Sequence, residues 1–164
     1  MPPEFDPAAL AAEVGRLLLA RGWMLATAES CTGGLIGHWM TEVSGSSAYY
    51  LGGIVAYADE AKVRLLGVDP QAIREHGAVS EPVALALAQG VRAALGAQVG
   101  VSVTGIAGPT GATPTKPVGT VYIGLSGPFG GWVERHQWPH DRSGNKVASA
   151  RRALEMLIEA LQGR

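Results

Sequence analysis

Apolar positions along the chain alternate between helical and strand periods. Leu10, Val14, Leu17 and Leu18 recur on one helical face, with Asp6-Pro7 as a start signal and Gly22 as a stop. Trp23 to Ala28 reads as a short strand that runs straight into Glu29-Ser30-Cys31-Thr32-Gly33-Gly34, and Leu35 to Val43 reads as a helix. Tyr49 to Ala58, rich in aromatic and branched residues, predicts a second strand. Asp59 is expected to cap a short helix that ends at Leu66-Gly67, and Asp69-Pro70 to Gly77 repeats that design. Ser80-Glu81-Pro82 opens a longer helix to Leu95, with Val83, Leu87 and Val91 on one face.

Val99 to Thr104 predicts a third strand, followed by the long Gly-, Pro- and Thr-rich loop from Gly105 to Gly119. Such a length is unusual for a plain connection and common for a functional one. Thr120 to Ser126 and Trp132 to Trp138 flank a Gly127–Gly131 turn and predict an antiparallel hairpin. A final helix is expected over Asn145 to Leu161, with Val147, Leu154, Leu157 and Leu161 facing inward. The order predicts an α/β fold: a single three-layer α/β/α domain with a mixed sheet over residues 1–164.

The 164 residues suit one hydrophobic core, and a formal net charge of −1 argues against a nucleic-acid binder. No apolar stretch is long enough to span a bilayer, so no membrane partner is expected. Cys31 is the one cysteine, which excludes an internal disulfide. The start Met1 to Asp6 has no secretion signal, and the expected location is cytoplasmic.

Three segments offer chemistry. The first is Thr27 to Gly34, on a strand-to-helix turn. There a nucleophile would stand exposed, and helix N–H groups could hold an oxyanion or a phosphate. Spacing does not choose between Ser30 and Cys31, and a helix start would lower the thiol pKa. A capped polar turn is the bland alternative. The second is Lys62, in a first helical turn where the dipole disfavours an ammonium; a solvated lysine paired with Asp59 or Glu60 is the alternative. Those carboxylates are expected to face solvent or cap the helix. The third is Thr104 to Gly111 at a strand end, where open α/β sheets bind ligands. Ser143-x-x-Lys146 is too short a pattern to carry weight without its usual partner motifs. The four histidines show no metal-ligand spacing, so neither a metal nor a cofactor is expected. Arg142 could clamp a phosphate or carboxylate.

Five blocks in order resemble a known family: Thr-Ala-Glu-Ser-Cys-Thr-Gly-Gly at 27–34, Glu-Ala-Lys at 60–62, His-Gly-Ala-Val-Ser-Glu-Pro at 76–82, Thr-Gly-Ile-Ala-Gly-Pro at 104–109 and Lys-Pro-Val-Gly-Thr-Val at 116–121. Together they look like the C-terminal domain of the competence/damage-inducible protein CinA, also found alone as a nicotinamide-nucleotide amidase. The resemblance implies hydrolysis of the carboxamide of nicotinamide mononucleotide by a serine–lysine mechanism, in a homodimer. It implies Ser30 as nucleophile, Lys62 as base, and Tyr57 and Thr104 as polar partners. Thr32, Gly33, Gly34, Gly105, Ala107, Gly108 and Arg142 are expected to contact substrate. The chain departs from the family pattern at Ala58-Asp59, where Ser-Asn is common, and at Thr110–Thr115, where the loop is commonly acidic. The pyrophosphatase-type domain that often precedes this one is not expected. The rival reading is a non-catalytic nucleotide- or protein-binding module.

Overall fold

A computed structural model describes residues 4–163. Five strands form one sheet in the order β2-β1-β3-β4-β5, with β1 Leu25–Glu29, β2 Tyr50–Val55, β3 Val99–Gly105, β4 Thr120–Gly127 and β5 Gly130–Gln137. β1 pairs in parallel with both β2 and β3, whereas β4 and β5 add antiparallel, so the sheet is mixed as expected. Among the described residues six α-helices flank it: α1 Pro7–Arg21, α2 Leu35–Thr41, α3 Asp59–Leu66, α4 Pro70–His76, α5 Glu81–Leu95 and α6 Arg142–Leu161.

The period-two pattern of the central strands divides the core between the two faces. Leu25, Val99, Val101, Val103, Val121, Ile123 and Leu125 pack against Val14 and Leu18 of α1, Ile36 and Met40 of α2, and Leu154 and Leu157 of α6. Ala26 and Ala28 face the other way, toward Leu66 of α3 and Val83, Leu87 and Val91 of α5. Each large aliphatic side chain buried this way contributes roughly 1.5–3 kcal/mol. Two glycines set the height of α5: a Cβ at Gly100 or Gly124 would strike the backbone of Ala88 or Ala84, so only bare backbone lets the helix lie this close.

Helix starts follow local signals. Asp6 accepts from the N–H groups of Ala8 and Ala9 at 3.0 and 3.2 Å, and Asp69 accepts from Gln71 at 2.9 Å. Three expectations need correction. α6 begins at Arg142 rather than Asn145, because Asp141 caps it through the Gly144 N–H at 2.8 Å. Ala58, not Asp59, holds the N-cap position of α3, and no side chain caps it. Val147 does not face inward: it is 40% exposed and borders an open hollow together with Gly33, Gly34, Leu35 and His38.

Candidate active site

The carboxyl ends of the three parallel strands share one edge of the sheet, and the chain leaves each of them through a candidate segment. A cavity of about 230 Å³ there is lined by Ser30, Cys31, Tyr57, Asp59, Lys62, Ala78, Val79, Thr104, Gly105, Ala107 and Arg142. Ser30 follows directly on β1. Its N–H donates to the Val103 carbonyl at 3.0 Å, and its own carbonyl accepts from Gly33 at 3.1 Å, so the backbone is fixed on both sides.

Lys62 is 2% exposed, the most deeply buried charged side chain in the cavity wall. Its Nζ donates to the Tyr57 carbonyl at 2.9 Å and lies 3.9 Å from Asp59 Oδ1. Burial pushes the lysine pKa below its ordinary value, and the Asp59 carboxylate opposes that shift. Asp59 therefore does not simply face solvent as expected: it stands three residues before Lys62, a spacing that brings two side chains together on a helix. Glu60 does turn away, to Arg64 at 3.0 Å.

Thr104, 1% exposed, lines the cavity and donates its hydroxyl to the Ala78 carbonyl at 2.9 Å, so the same oxygen can still accept a hydrogen bond. Tyr57 is 62% exposed at the mouth. Its hydroxyl accepts from Arg142 Nη2 at 3.1 Å, while Arg142 Nη1 donates to the Gly108 carbonyl at 2.8 Å. One guanidinium thus ties the exits of β2 and β3 to the start of α6. Asn145, 1% exposed, ties the same pieces from behind: its Nδ2 donates to the Ala107 carbonyl and its Oδ1 accepts from the His140 N–H.

The turn after Ser30 differs from the expectation in a way that matters for anions. Gly33 and Gly34 adopt positive φ of 61° and 102°, so α2 starts only at Leu35. Its first N–H groups are already occupied, for the buried carboxylate of Glu29 accepts from Ile36 at 2.9 Å and Gly37 at 3.0 Å. A negative group at a helix start is electrostatically favourable, and here the protein supplies its own. Thr32, Gly33 and Gly34 accordingly do not line the Ser30 cavity. They line a neighbouring hollow with His38, Ser143 and Lys146. Gly108 lines a third recess, beside Arg142 and His140.

Nor does the turn activate Cys31. The thiol is buried, and burial pushes its pKa up to about 12 against the pull of its own backbone N–H and of Lys146 and Lys62. A thiol held protonated at neutral pH is a poor nucleophile. Among the described residues no three His, Cys, Asp or Glu side chains gather as a metal site would require.

Residues 7–161 match the family profile described as the CinA C-terminal domain. The chain belongs to that family. It is 60% identical over 146 residues to a CinA-like protein of Salinibacter ruber, an alignment that covers 89% of this chain and 35% of the relative. It likewise spans 38–39% of the length of two further curated relatives, putative competence-damage inducible proteins of Symbiobacterium thermophilum and Moorella thermoacetica. Among solved structures it is similar to a competence-damaged protein (CinA) superfamily protein of Klebsiella pneumoniae, at 32% identity and a TM-score of 0.93 over 98% of this chain and 100% of that one. The competence/damage inducible protein CihA of Agrobacterium tumefaciens follows at 39% identity and a TM-score of 0.91 over 96% of each chain.

In this CinA-family chain the sequence blocks converge. Blocks 27–34, 60–62 and 104–109 meet at the cavity, block 76–82 supplies Ala78 and Val79, and Lys116 of the last block donates to the His76 carbonyl at 2.6 Å. Glu29 and Asn145 were missed as site-building residues. The signal for Asn145 was a polar residue on the inward stripe of α6, and Glu29 was a carboxylate inside a strand buried along its whole length.

Proposed function

We propose that this chain is an amidohydrolase that converts nicotinamide mononucleotide to nicotinate mononucleotide and ammonia, with Ser30 as nucleophile and Lys62 as base. The observation that carries the reading is a lysine 2% exposed, with its pKa lowered by burial, in one cavity with Ser30. A carboxamide is a weak electrophile, so the serine needs a neutral amine to take its proton. One hydrogen of the Lys62 amine is directed to the Tyr57 carbonyl, which orients the nitrogen lone pair away from it.

As the Ser30 Oγ–carbon bond forms, the hydroxyl proton passes to Lys62 Nζ and the amide oxygen takes the negative charge. Among the described residues the Ala107 N–H donates to no protein acceptor and the Cys31 N–H meets only its own thiol; both residues line the cavity, so they are the donors available to that oxyanion. When the carbon–nitrogen bond breaks, Lys62 returns the proton to the departing ammonia. Water then attacks the acyl-enzyme, giving its proton to the same amine, and Ser30 leaves with it. Arg142 and Tyr57 hold the mouth of the cavity, where they contact substrate.

The reading treats residues 1–164 as one cytoplasmic unit that needs no cofactor and works as a homodimer. Edge strand β2 supports the dimer, because it leaves Leu51 and Val55 45% and 51% exposed. Sedimentation at micromolar concentration tests that part. The activity is tested by ammonia release from nicotinamide mononucleotide. Ser30→Ala abolishes it and Cys31→Ala keeps most of it; a dead Cys31→Ala beside an active Ser30→Ala overturns the mechanism.

A further inference from the structure

Thr32 is 1% exposed, yet its Oγ1 has no hydrogen-bond partner, an unfavourable state for a buried hydroxyl. It lines a hollow of about 380 Å³ with Gly33, Gly34, His38, Ser143 and Lys146. Among the described residues, lysine ammonium hydrogen bonds and ion pairs belong to Lys62 and Lys116, so the Lys146 ammonium is unpartnered too. It lies over Gly33, 3.6 Å from where a Cβ would stand, and a positive φ of 61° keeps that position free of a side chain. A cation, the Ser143 residue and bare glycine backbone therefore border one space, with the orphaned Thr32 hydroxyl buried in its wall.

The geometry points to this hollow as the seat of the phosphate monoester of the nucleotide whose amide is attacked at Ser30. The inference rests on the proposed amidase reading for the identity of the ligand. A phosphate monoester presents three acceptor oxygens, which matches the three donors of Lys146, Thr32 and Ser143. Arg142, the cation expected from sequence to hold an anion, lines the Ser30 cavity and donates to Gly108 and Tyr57, whereas Lys146 is, among the described residues, the unpartnered ammonium that lines this hollow. The Glu29 carboxylate behind the turn is held by two helix N–H groups. Glu42, the other acid near the rim, stands 3.8 Å from His38 and pairs with it when the imidazole is protonated. The hollow and the Ser30 cavity are lined by adjoining stretches of chain: residues 30–31 line one and 32–34 the other, and Arg142 and Ser143 divide in the same way. Cys31 lies between them, near enough to feel both Lys62 and Lys146.

Binding is measured by calorimetry with ribose 5-phosphate and with ribose, and turnover with nicotinamide mononucleotide and nicotinamide riboside. Wild type binds ribose 5-phosphate and not ribose. Lys146→Met weakens ribose 5-phosphate roughly 10- to 100-fold, as expected for a lost charge-assisted contact. Thr32→Val weakens it about 3- to 10-fold without lowering the melting temperature, since no protein hydrogen bond is lost. In both variants the ratio of kcat/KM for nicotinamide mononucleotide over the riboside falls by a similar factor. Unchanged ribose 5-phosphate binding in Lys146→Met overturns the site. Weakened binding with an unchanged kcat/KM ratio overturns its assignment to the substrate phosphate. If wild type turns over neither substrate, the amidase reading fails while calorimetry still decides whether the hollow binds phosphate.

Discussion

Replacing Glu29 by glutamine tests the most unexpected contact in the fold. The carboxylate is 3% exposed and accepts from two consecutive N–H groups, Ile36 at 2.9 Å and Gly37 at 3.0 Å. Glutamine keeps the shape and one acceptor oxygen but turns an NH₂ toward the other backbone donor. One charge-assisted bond, worth about 1.5–3 kcal/mol, is lost, and one buried N–H is left facing a donor. The favourable interaction of a negative charge with the helix start is lost too. The sum is about 2–4 kcal/mol of destabilisation. For a chain of this size it lowers the melting temperature by roughly 5–15 °C. Urea unfolding at neutral pH, followed by tryptophan fluorescence, measures the free energy and calorimetry the temperature. Glu29→Gln within about 1 °C of wild type would refute the claim that this carboxylate closes the start of α2.

Lys62→Met removes a buried ammonium and is expected to abolish turnover while matching or exceeding wild-type stability at pH 7. An inactive variant that has also lost several kcal/mol would point to a structural lysine instead. Because burial lowers the folded-state pKa of Lys62, the unfolded chain binds more protons between that value and the ordinary one near 10.4; wild-type stability therefore gains from Lys62 as pH rises through that window, and Lys62→Met lacks the gain in a urea-melt series. Glu134 acts with the same sign in a different window: its hydrogen bonds from Arg152 hold its pKa below the usual carboxylate range, so the contribution is present above about pH 4.3 and lost as pH falls through the folded value. Arg152→Met should flatten acid melts there; an unchanged acid slope would count against the pair. Cys31, with its thiol near 12, should resist iodoacetamide at pH 8 in native protein and react only in urea, as mass spectrometry can read.

The parts of this fold legible in the sequence were those written locally. Asp6-Pro7 and Asp69-Pro70 start helices because the cap reaches N–H groups two or three residues on, and the valine-rich β3 and the inward stripe of α5 follow simple periods. Asp141 carried the same signal, but the apolar stripe of α6 drew the expected start three residues late. What stayed hidden depended on chain reversals. The destination of Glu29, seven and eight residues along, is set by two left-handed glycines that swing α2 back over β1. The same reversal carries Thr32 to Gly34 out of the Ser30 cavity. Whether Asp59 meets the Lys62 ammonium depends on rotamers packed against a cavity wall, which the helical spacing permits but does not decide.

Among the described residues, the aromatic distribution has a practical consequence for spectroscopy. At the sheet end opposite the Ser30 cavity, Trp23 and Trp132 pack on Phe129, which sits in the β4–β5 turn. Trp39 packs edge-on against Phe5, and Trp138 stacks on His136 with centroids 4.6 Å apart. No indole lines the Ser30 cavity. Emission from these rings therefore reports the integrity of the core and is largely silent to a small molecule entering beside Ser30. Folding and occupancy can be followed in the same cuvette as separate signals, the first by intrinsic fluorescence and the second by released ammonia.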